Sequence, residues 1–217
     1  MASKSSKKRI PAPVVARLTQ YLAHARRLRQ SDVRWVASRE VAHALGLTSS
    51  TVRQDLSHID FSGRSKRGYE TRRLVSALCR DLGIGKAANV AVVGAGNLGR
   101  ALAQHAGFER EGFPVVALFD CDRHLIGKKV GGLVIEGMGK LSTIVAGRRI
   151  VLAMLAVPMA SAQRVTDQLI CAGVRGILNL TTAHVRVPSQ TVVLESRIVS
   201  RLQELQYLVM RKAQVCD

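Results

Sequence analysis

The sequence predicts a two-domain α/β protein, in which a small basic helical domain precedes a doubly wound parallel sheet. Residues 1–89 hold 18 of the 33 Lys and Arg residues but only 6 of the 15 Asp and Glu residues, so positive charge is concentrated in the shorter N-terminal part. Glycines and small residues at 83–89 then mark a change of composition. Beyond them, short β-branched runs alternate with helical runs, which is typical of strands joined by crossover helices.

The overall composition favours a polyanionic partner. A chain of 217 residues provides for one or two domains, and its apolar share of 47% is sufficient for a buried core. The formal net charge of +18 makes double-stranded nucleic acid the first partner to consider. An aromatic content of 4% argues against a protein that stacks single-stranded bases.

The sequence also gives expectations about location and metals. It contains no apolar run of the ~18 residues that a membrane span needs, and no signal peptide opens it. We therefore expect a cytoplasmic protein with no membrane partner. The four cysteines lie tens of residues apart without metal-ligand spacing, which predicts reduced thiols and no metal site: Cys79, Cys121, Cys171 and Cys216.

The N-terminal pattern predicts three helices and a tight turn. Apolar residues at helical spacing predict a first helix over Pro13–Arg29. Ser38 is expected to cap a second helix, Arg39–Leu45, and Thr48 or Ser49 a third that runs through Leu56.

The second and third helices have the residue pattern of a helix-turn-helix. Ala42 provides the small residue where the helices cross, Gly46 tolerates positive φ in the turn, and Val52 fills the angle between them. Because this triple also occurs in ordinary helical bundles, the basic charge and polar third helix are needed to favour DNA binding. The predicted DNA contacts on that helix are Ser49, Ser50, Thr51, Arg53 and Gln54.

A glycine-flanked basic segment follows the third helix. In Phe61–Tyr69, two glycines flank Arg64, Lys66 and Arg67, which predicts a short hairpin with a cationic tip. Such a wing beside a recognition helix would lie against phosphates or the narrow minor groove. By itself the segment is more typical of a solvated basic loop. A connecting helix is predicted over Thr71–Leu82.

The C-terminal pattern predicts five buried strands with helices between them. The predicted helices are Arg100–Gly107 and Ala160–Ala172. The predicted strands are Asn89–Val93, Val115–Phe119, Ile150–Leu155, Gly176–Leu180 and Thr191–Leu194.

The turn after the first of these strands has the pattern of a dinucleotide-binding loop. The strand enters the GxGxxG sequence Gly94-Ala95-Gly96-Asn97-Leu98-Gly99, and a helix leaves it. Gly94 would make the tight turn, Gly96 would let the backbone approach a pyrophosphate, and Gly99 would let the helix pack on the strand. The context of strand before and helix after predicts a Rossmann-type domain that binds NAD(H).

Residues at the ends of later strands complete the predicted cofactor site. Asp120 ends the second strand, where a carboxylate accepts hydrogen bonds from ribose hydroxyls and repels a 2′-phosphate, which favours NAD(H) over NADP(H). Asp120 could instead be a plain turn residue. Val157, Pro158 and Asn179 lie at the carboxyl ends of two further strands and are expected near the nicotinamide, although Pro158 would also suit the first residue of a helix.

No catalytic set accompanies this loop. A dehydrogenase needs a proton donor or acceptor beside the nicotinamide, and His105, His124 and His184 belong to no catalytic pattern. We therefore expect a protein that is not an enzyme.

A winged helix joined to a Rossmann domain in this length resembles the Rex family of redox-sensing transcriptional repressors. The resemblance runs from Ile10 to about Met210 and depends on four pieces together: TVRQDLS at 51–57, VVGAGNLGRAL at 92–102, ALFDCD at 117–122 and AGVRGILNL at 172–180. It implies a homodimer that binds operator DNA and releases it when NADH binds. It also implies that a C-terminal helix, here Ser196–Met210, is swapped between subunits.

The resulting domain boundaries are a disordered basic tail at 1–9, a winged-helix domain at 10–84, a Rossmann domain at 85–195 and a dimerisation helix at 196–217. The tail could also contact phosphates.

The chain departs from the family pattern at positions that matter for DNA reading and for the switch. Gln54 replaces the usual Lys of the recognition helix, and the wing sequence differs as well. The family's redox switch maps to Arg17, His105 and Arg197, where His105 replaces a Tyr and Arg197 replaces an Asp. Two rival functions stay open: a constitutive DNA-binding regulator with weakened NADH coupling, and an NAD-dependent oxidoreductase with a basic extension.

Overall fold

The computed structural model describes residues 10–213, which form two compact units that divide between Lys86 and Ala87. The predicted tail at residues 1–9 lies outside the described residues, as does Cys216.

The N-terminal unit is a helical domain with one small sheet. Its helices surround a single apolar core that includes Leu18, Val52 and Leu78, each of which is fully buried. The elements in chain order are α1 (Ala12–Gln30), β1 (Trp35–Val36), α2 (Ser38–Leu45), α3 (Ser49–Leu56), β2 (Tyr69–Glu70) and α4 (Thr71–Asp81).

Local chemistry sets the ends of α2 and α3. The predicted cap of α2 was wrong: Ala37 is the N-cap residue and Ser38 is the first helical residue. The Glu40 carboxylate stabilises this end by accepting a hydrogen bond of 2.6 Å from the Ala37 N–H. Gly46 ends α2 at φ +66°, and the Thr48 hydroxyl caps α3 by accepting from the Thr51 N–H.

The C-terminal unit contains a seven-stranded sheet with the order β5-β6-β4-β3-β7-β8-β9. All neighbours pair in parallel except β5, which runs antiparallel at one edge. The strand bounds are β3 (Val90–Val93), β4 (Val115–Asp120), β5 (Lys129–Val130), β6 (Leu133–Gly137), β7 (Leu152–Leu155), β8 (Gly176–Asn179) and β9 (Val192–Glu195).

Without β5, this is the Rossmann strand order, in which β3 and β7 flank the point where the order reverses. All four residues of β3 are buried, as a central parallel strand requires. Open α/β sheets bind ligands beyond the carboxyl ends of their strands at this reversal point.

The helices of this unit differ in detail from those predicted. The helix expected at 100–107 begins earlier and is split in two, and α7 together with β5 and β6 was not foreseen. The helix bounds are α5 (Asn97–Ala103), α6 (Gly107–Arg110), α7 (Leu141–Gly147), α8 (Ala162–Cys171) and α9 (Ile198–Ala213).

Apolar surface is exposed on α9 and on the last strand of the sheet. Leu202, Leu205 and Leu208 on α9 are each more than half exposed, as are Val192 and Leu194 on β9. Helix α9 corresponds to the C-terminal helix that the family resemblance predicted. Its exchange between subunits stays a prediction.

Candidate DNA-binding face and dinucleotide crevice

Helix α3 separates residues that hold the fold from residues that face solvent. Val52 is fully buried against the core, and Ala42 is buried where α2 crosses, as the triple with Gly46 predicted. Arg53 and Gln54 are exposed on the opposite side of α3. The helix thus presents a polar surface on a rigid support.

The remaining predicted contacts on α3 lie at its N-terminus. Ser50 is exposed, and Ser49 and Thr51 are partly buried. The hydroxyls of Ser50 and Thr51 each lie 2.8 Å from the Thr48 hydroxyl, within one hydrogen-bonded cluster. These short side chains surround backbone N–H groups at the helix start, an arrangement that favours a phosphate.

A buried carboxylate ties α3 to α1. Asp55 is 3% exposed and accepts two hydrogen bonds of 2.7 Å from the Arg17 guanidinium and one of 2.6 Å from the Tyr21 hydroxyl. Burial acts to raise the pKa of Asp55, but these hydrogen bonds outweigh it and hold the pKa below its ordinary value. The same bond to Asp55 raises the pKa of Arg17. This network fixes the orientation of the recognition helix and was not foreseen.

The predicted wing is a minimal hairpin. Arg64 and Gly68 exchange backbone hydrogen bonds of 2.8 and 2.9 Å, with Lys66 at φ +62° in the turn. Arg64, Lys66 and Arg67 are all exposed. The guanidinium groups of Arg64 and Arg67 lie over the ring of Trp35, which sequence reasoning did not single out.

The glycine-rich loop has the geometry that phosphate approach requires. Gly94 adopts φ +101°, and a side chain there would overlap the Ala156 carbonyl. A side chain at Gly99 would overlap the Gly94 carbonyl, so α5 can pack closely on β3 only with glycine at this position. At Gly96, by contrast, an added β-carbon would meet nothing within 4 Å, because this position faces open space.

A crevice of 710 Å³ lies at the carboxyl ends of the strands, beside this loop. Seven of the ten predicted cofactor residues line it: Gly94, Gly96, Asn97, Leu98, Asp120, Val157 and Pro158. Sequence reasoning missed other lining residues, among them Arg164 and Gln168 on α8, whose only signal was their place in the helix after Pro158. Arg164 brings an exposed positive charge to a wall that also carries Asp120 and Asp122.

Asp120 organises the loop as well as lining the crevice. Its carboxylate accepts a hydrogen bond of 2.6 Å from the Ala95 N–H and one of 2.8 Å from the Asp122 N–H. A carboxylate can accept about four hydrogen bonds, so acceptor capacity remains for ribose hydroxyls.

The other three predicted cofactor residues are not among the described residues that line the crevice. Ala95 and Gly99 are buried beneath the loop. Asn179 is fully buried, and its amide organises the following turn by accepting from Thr181 and donating to the Ala183 carbonyl. These hydrogen bonds shape the chain after β8, and the contact of Asn179 with the nicotinamide stays a prediction.

Each predicted switch residue has a partner of its own. Arg17 is bound to Asp55, as described above. The His105 ring stacks edge-on against Phe108 at 5.0 Å. Arg197 forms an ion pair of 2.7 Å with Glu195.

Searches for other kinds of site gave negative results within residues 10–213. No group of three or more His, Cys, Asp or Glu side chains could hold a metal ion. In the same part of the chain, no helix combines the length and hydrophobicity needed to cross a bilayer.

Comparisons with known proteins support the domain predicted for each half of the chain. A family model described as "CoA binding domain" matches residues 85–183, and one described as "Putative DNA-binding protein N-terminus" matches residues 9–57. The redox-sensing transcriptional repressor Rex of Thermosipho africanus is 38% identical over 82% of this chain and 86% of its own. That of Chloroflexus aggregans is 37% identical over 94% of this chain and 96% of its own. The chain belongs to the Rex family of redox-sensing transcriptional repressors.

Solved structures of the Rex family show the same fold. The crystal structure of RSP, a Rex-family repressor, matches with a TM-score of 0.86 and 28% identity over 95% of this chain and 97% of that one. RSP in complex with β-NAD⁺ and operator DNA matches with a TM-score of 0.87 and 28% identity, covering 96% of both chains. The predicted winged-helix and Rossmann architecture is thus confirmed.

Proposed function

We propose that this chain binds operator DNA as a homodimer and that NADH, bound in its crevice, weakens that binding. The observation that carries the proposal is the presence in one chain of an exposed recognition helix and an open glycine-rich crevice. RSP, whose fold this chain shares, has been crystallised with β-NADH and with β-NAD⁺ and operator DNA.

On the DNA side, the exposed polar face of α3 would enter the major groove and the wing would meet the backbone or minor groove. Arg53 can donate two hydrogen bonds to guanine, and Gln54 can pair with adenine. Arg64, Lys66 and Arg67 supply charge without base specificity. The remaining proposed contacts, Ser49, Ser50 and Thr51, would hold a phosphate at the start of α3.

On the cofactor side, the residues present fit a dinucleotide. The open space at Gly96 and the N–H groups at the start of α5 would receive the pyrophosphate. Asp120 would accept hydrogen bonds from the adenosine ribose, and Val157 and Pro158 would contact the nicotinamide half. NADH would act here as a signal, without hydride transfer to a substrate.

A second copy of the chain would cover the exposed apolar surface. The exposed apolar residues of α9 recur at helical spacing, and monomeric proteins rarely leave a large contiguous apolar patch uncovered. A hollow of 420 Å³ beside β9, lined almost wholly by apolar side chains, would be a second contact surface. Two recognition helices on a two-fold axis would read a palindrome.

A specific observation favours a weakened switch. Arg197 stands where the family has Asp, and both guanidinium groups of the mapped switch already have carboxylate partners, Asp55 for Arg17 and Glu195 for Arg197. Two charged guanidiniums cannot form the Arg–Asp pair that the family uses. We therefore expect saturating NADH to weaken operator binding less than about tenfold, or about 1.4 kcal/mol of coupling.

The test is an operator-binding titration at a series of NADH/NAD⁺ ratios, with NADH affinity measured separately by calorimetry. The double change His105→Tyr with Arg197→Asp should increase the coupling. A hundredfold loss of operator affinity in the wild-type chain would refute the weakened switch. Consumption of NADH, measured by absorbance, would favour the oxidoreductase. Binding of DNA without any binding of NADH would favour the constitutive regulator.

A further inference from the structure

The two wing arginines share one aromatic platform. The Arg64 Cζ lies 5.5 Å and the Arg67 Cζ 5.9 Å from the centroid of the Trp35 ring, within the range of a cation–π interaction. Trp35 is the single tryptophan of the chain. It is half-buried on β1, where its neighbour Val36 points into the core and the ring therefore points outward.

The backbone on both sides of this contact is held firmly. β1 pairs antiparallel with β2, so that Trp35 lies opposite Glu70 and Val36 opposite Tyr69. Gly68, at φ +82°, packs so closely on β1 that a β-carbon there would overlap the Val36 carbonyl. The ring and the hairpin that carries the arginines are thus parts of one small rigid unit.

The charges of the two wing guanidinium groups are not taken up by carboxylates of the described residues. Within residues 10–213, neither Arg64 nor Arg67 forms an ion pair with a carboxylate, whereas the nearby Arg34 lies 3.9 Å from Glu70. Two like charges on a free wing would spread apart and sample many rotamers. The negative face of the indole instead holds both of them at one place.

We propose that Trp35 is a positioning residue for DNA binding, whose ring holds Arg64 and Arg67 in the orientation that meets the duplex. The gain is preorganisation, because side chains already ordered lose less entropy on binding. This inference rests on the proposed DNA-binding function and assigns Trp35 no contact with DNA of its own.

The first experiment compares Trp35→Leu with the conservative variant Trp35→Phe. Affinity is measured by fluorescence anisotropy on the labelled duplex that the wild-type chain selects from a random pool. We expect Trp35→Leu to weaken binding by about three- to tenfold, and Trp35→Phe to stay within about twofold because it keeps an aromatic face. Equal losses in both variants, or no loss in Trp35→Leu, would overturn the proposal.

Salt dependence separates positioning from charge. Replacing both arginines by Ala should reduce the slope of log affinity against log salt by about two, one for each phosphate contact. Trp35→Leu should leave that slope unchanged, since it removes no charge. A slope that falls by about two in Trp35→Leu, as in the double-arginine variant, would show that both phosphate contacts are lost altogether, which would contradict preorganisation as the source of the gain.

The deciding control is Trp35→Leu in the Arg64→Ala/Arg67→Ala background. There it should change affinity less than twofold, because nothing remains to be positioned. The same loss as in the wild-type background would mean that the ring acts by itself or through the fold, which contradicts the proposal. If the wild-type chain selects no sequence from the pool, the proposed function fails. The Trp35 variants are then compared on unselected duplex DNA at low salt, so that the role of Trp35 is still tested.

Discussion

The network around Asp55 provides a quantitative test of how the recognition helix is held. Asp55→Asn removes the charge while keeping the size of the side chain. An asparagine amide oxygen can accept at most two of the three hydrogen bonds that Asp55 now accepts from Arg17 and Tyr21, and its NH₂ group would face a guanidinium donor. We expect the substitution to destabilise the N-terminal unit.

The magnitude follows from the burial of the pair. Breaking a fully buried ion pair costs about 3–5 kcal/mol, and hydrogen bonds to charged groups contribute about 1.5–3 kcal/mol each. The Asp55 side chain is 4% exposed, but that of Arg17 is 30% exposed and can regain water when its partner is lost. We therefore expect a loss of about 2–4 kcal/mol in the free energy of unfolding.

The assay is urea denaturation followed by tryptophan fluorescence. Because Trp35 is the only tryptophan and lies in the N-terminal unit, its emission reports that unit alone. Asp60→Asn is the matched control, since this carboxylate is 93% exposed and lies 3.8 Å from Arg80. It should change stability by less than about 0.5 kcal/mol.

The pH dependence gives an independent check with a definite sign. Since the pKa of Asp55 is lowered by folding, its contribution is present above the unfolded pKa of about 3.9 and is lost as pH falls through the folded pKa. The stability gap between wild type and Asp55→Asn should thus be constant from about pH 5 to 8 and shrink below about pH 4. A gap under about 0.5 kcal/mol at neutral pH, or one that widens in acid, would refute the reasoning.

The remaining predictions concern the crevice. Gly96→Val should fold normally, because the added side chain meets open space, yet it should abolish NADH binding measured by calorimetry; Gly147→Val, at the exposed end of α7, should bind NADH as the wild type does. Wild-type NADH affinity in Gly96→Val would mean that the phosphate site is misplaced. Asp120→Ala should lower the ratio of NADH to NADPH affinity at least about tenfold. If the ratio is unchanged, Asp120 serves only to hold the Ala95 and Asp122 N–H groups.

Local patterns in the sequence determined the two domains and the chemistry of each. The triple Ala42, Gly46 and Val52 could be interpreted from spacing alone, because each requirement concerns one turn and its immediate neighbours. The same is true of Gly94, Gly96 and Gly99, where backbone conformation and close approach demand glycine whatever the rest of the chain does.

The tertiary structure decided which side chains serve each site. Asp55 lies 38 residues from Arg17 in sequence, so its burial and its pairing become visible only when α1 packs on α3. Trp35 likewise meets Arg64 and Arg67 only because β1 and β2 pair. The role of Asn179 within the fold also became visible only in the structure, where its amide forms hydrogen bonds with Thr181 and Ala183 in the turn after β8.

The physical reason for the difference is the range of the interactions. Backbone conformation, helix capping and hydrophobic periodicity are set by residues a few positions apart, and a single sequence displays them directly. A buried charge finds its hydrogen-bond partners, and a cation finds its aromatic ring, only when residues from distant positions in the sequence come together. One sequence pattern is compatible with many such pairings of side chains. The sequence therefore determined that this chain has a recognition helix and a dinucleotide loop, and only the folded structure decided what holds each of them in place.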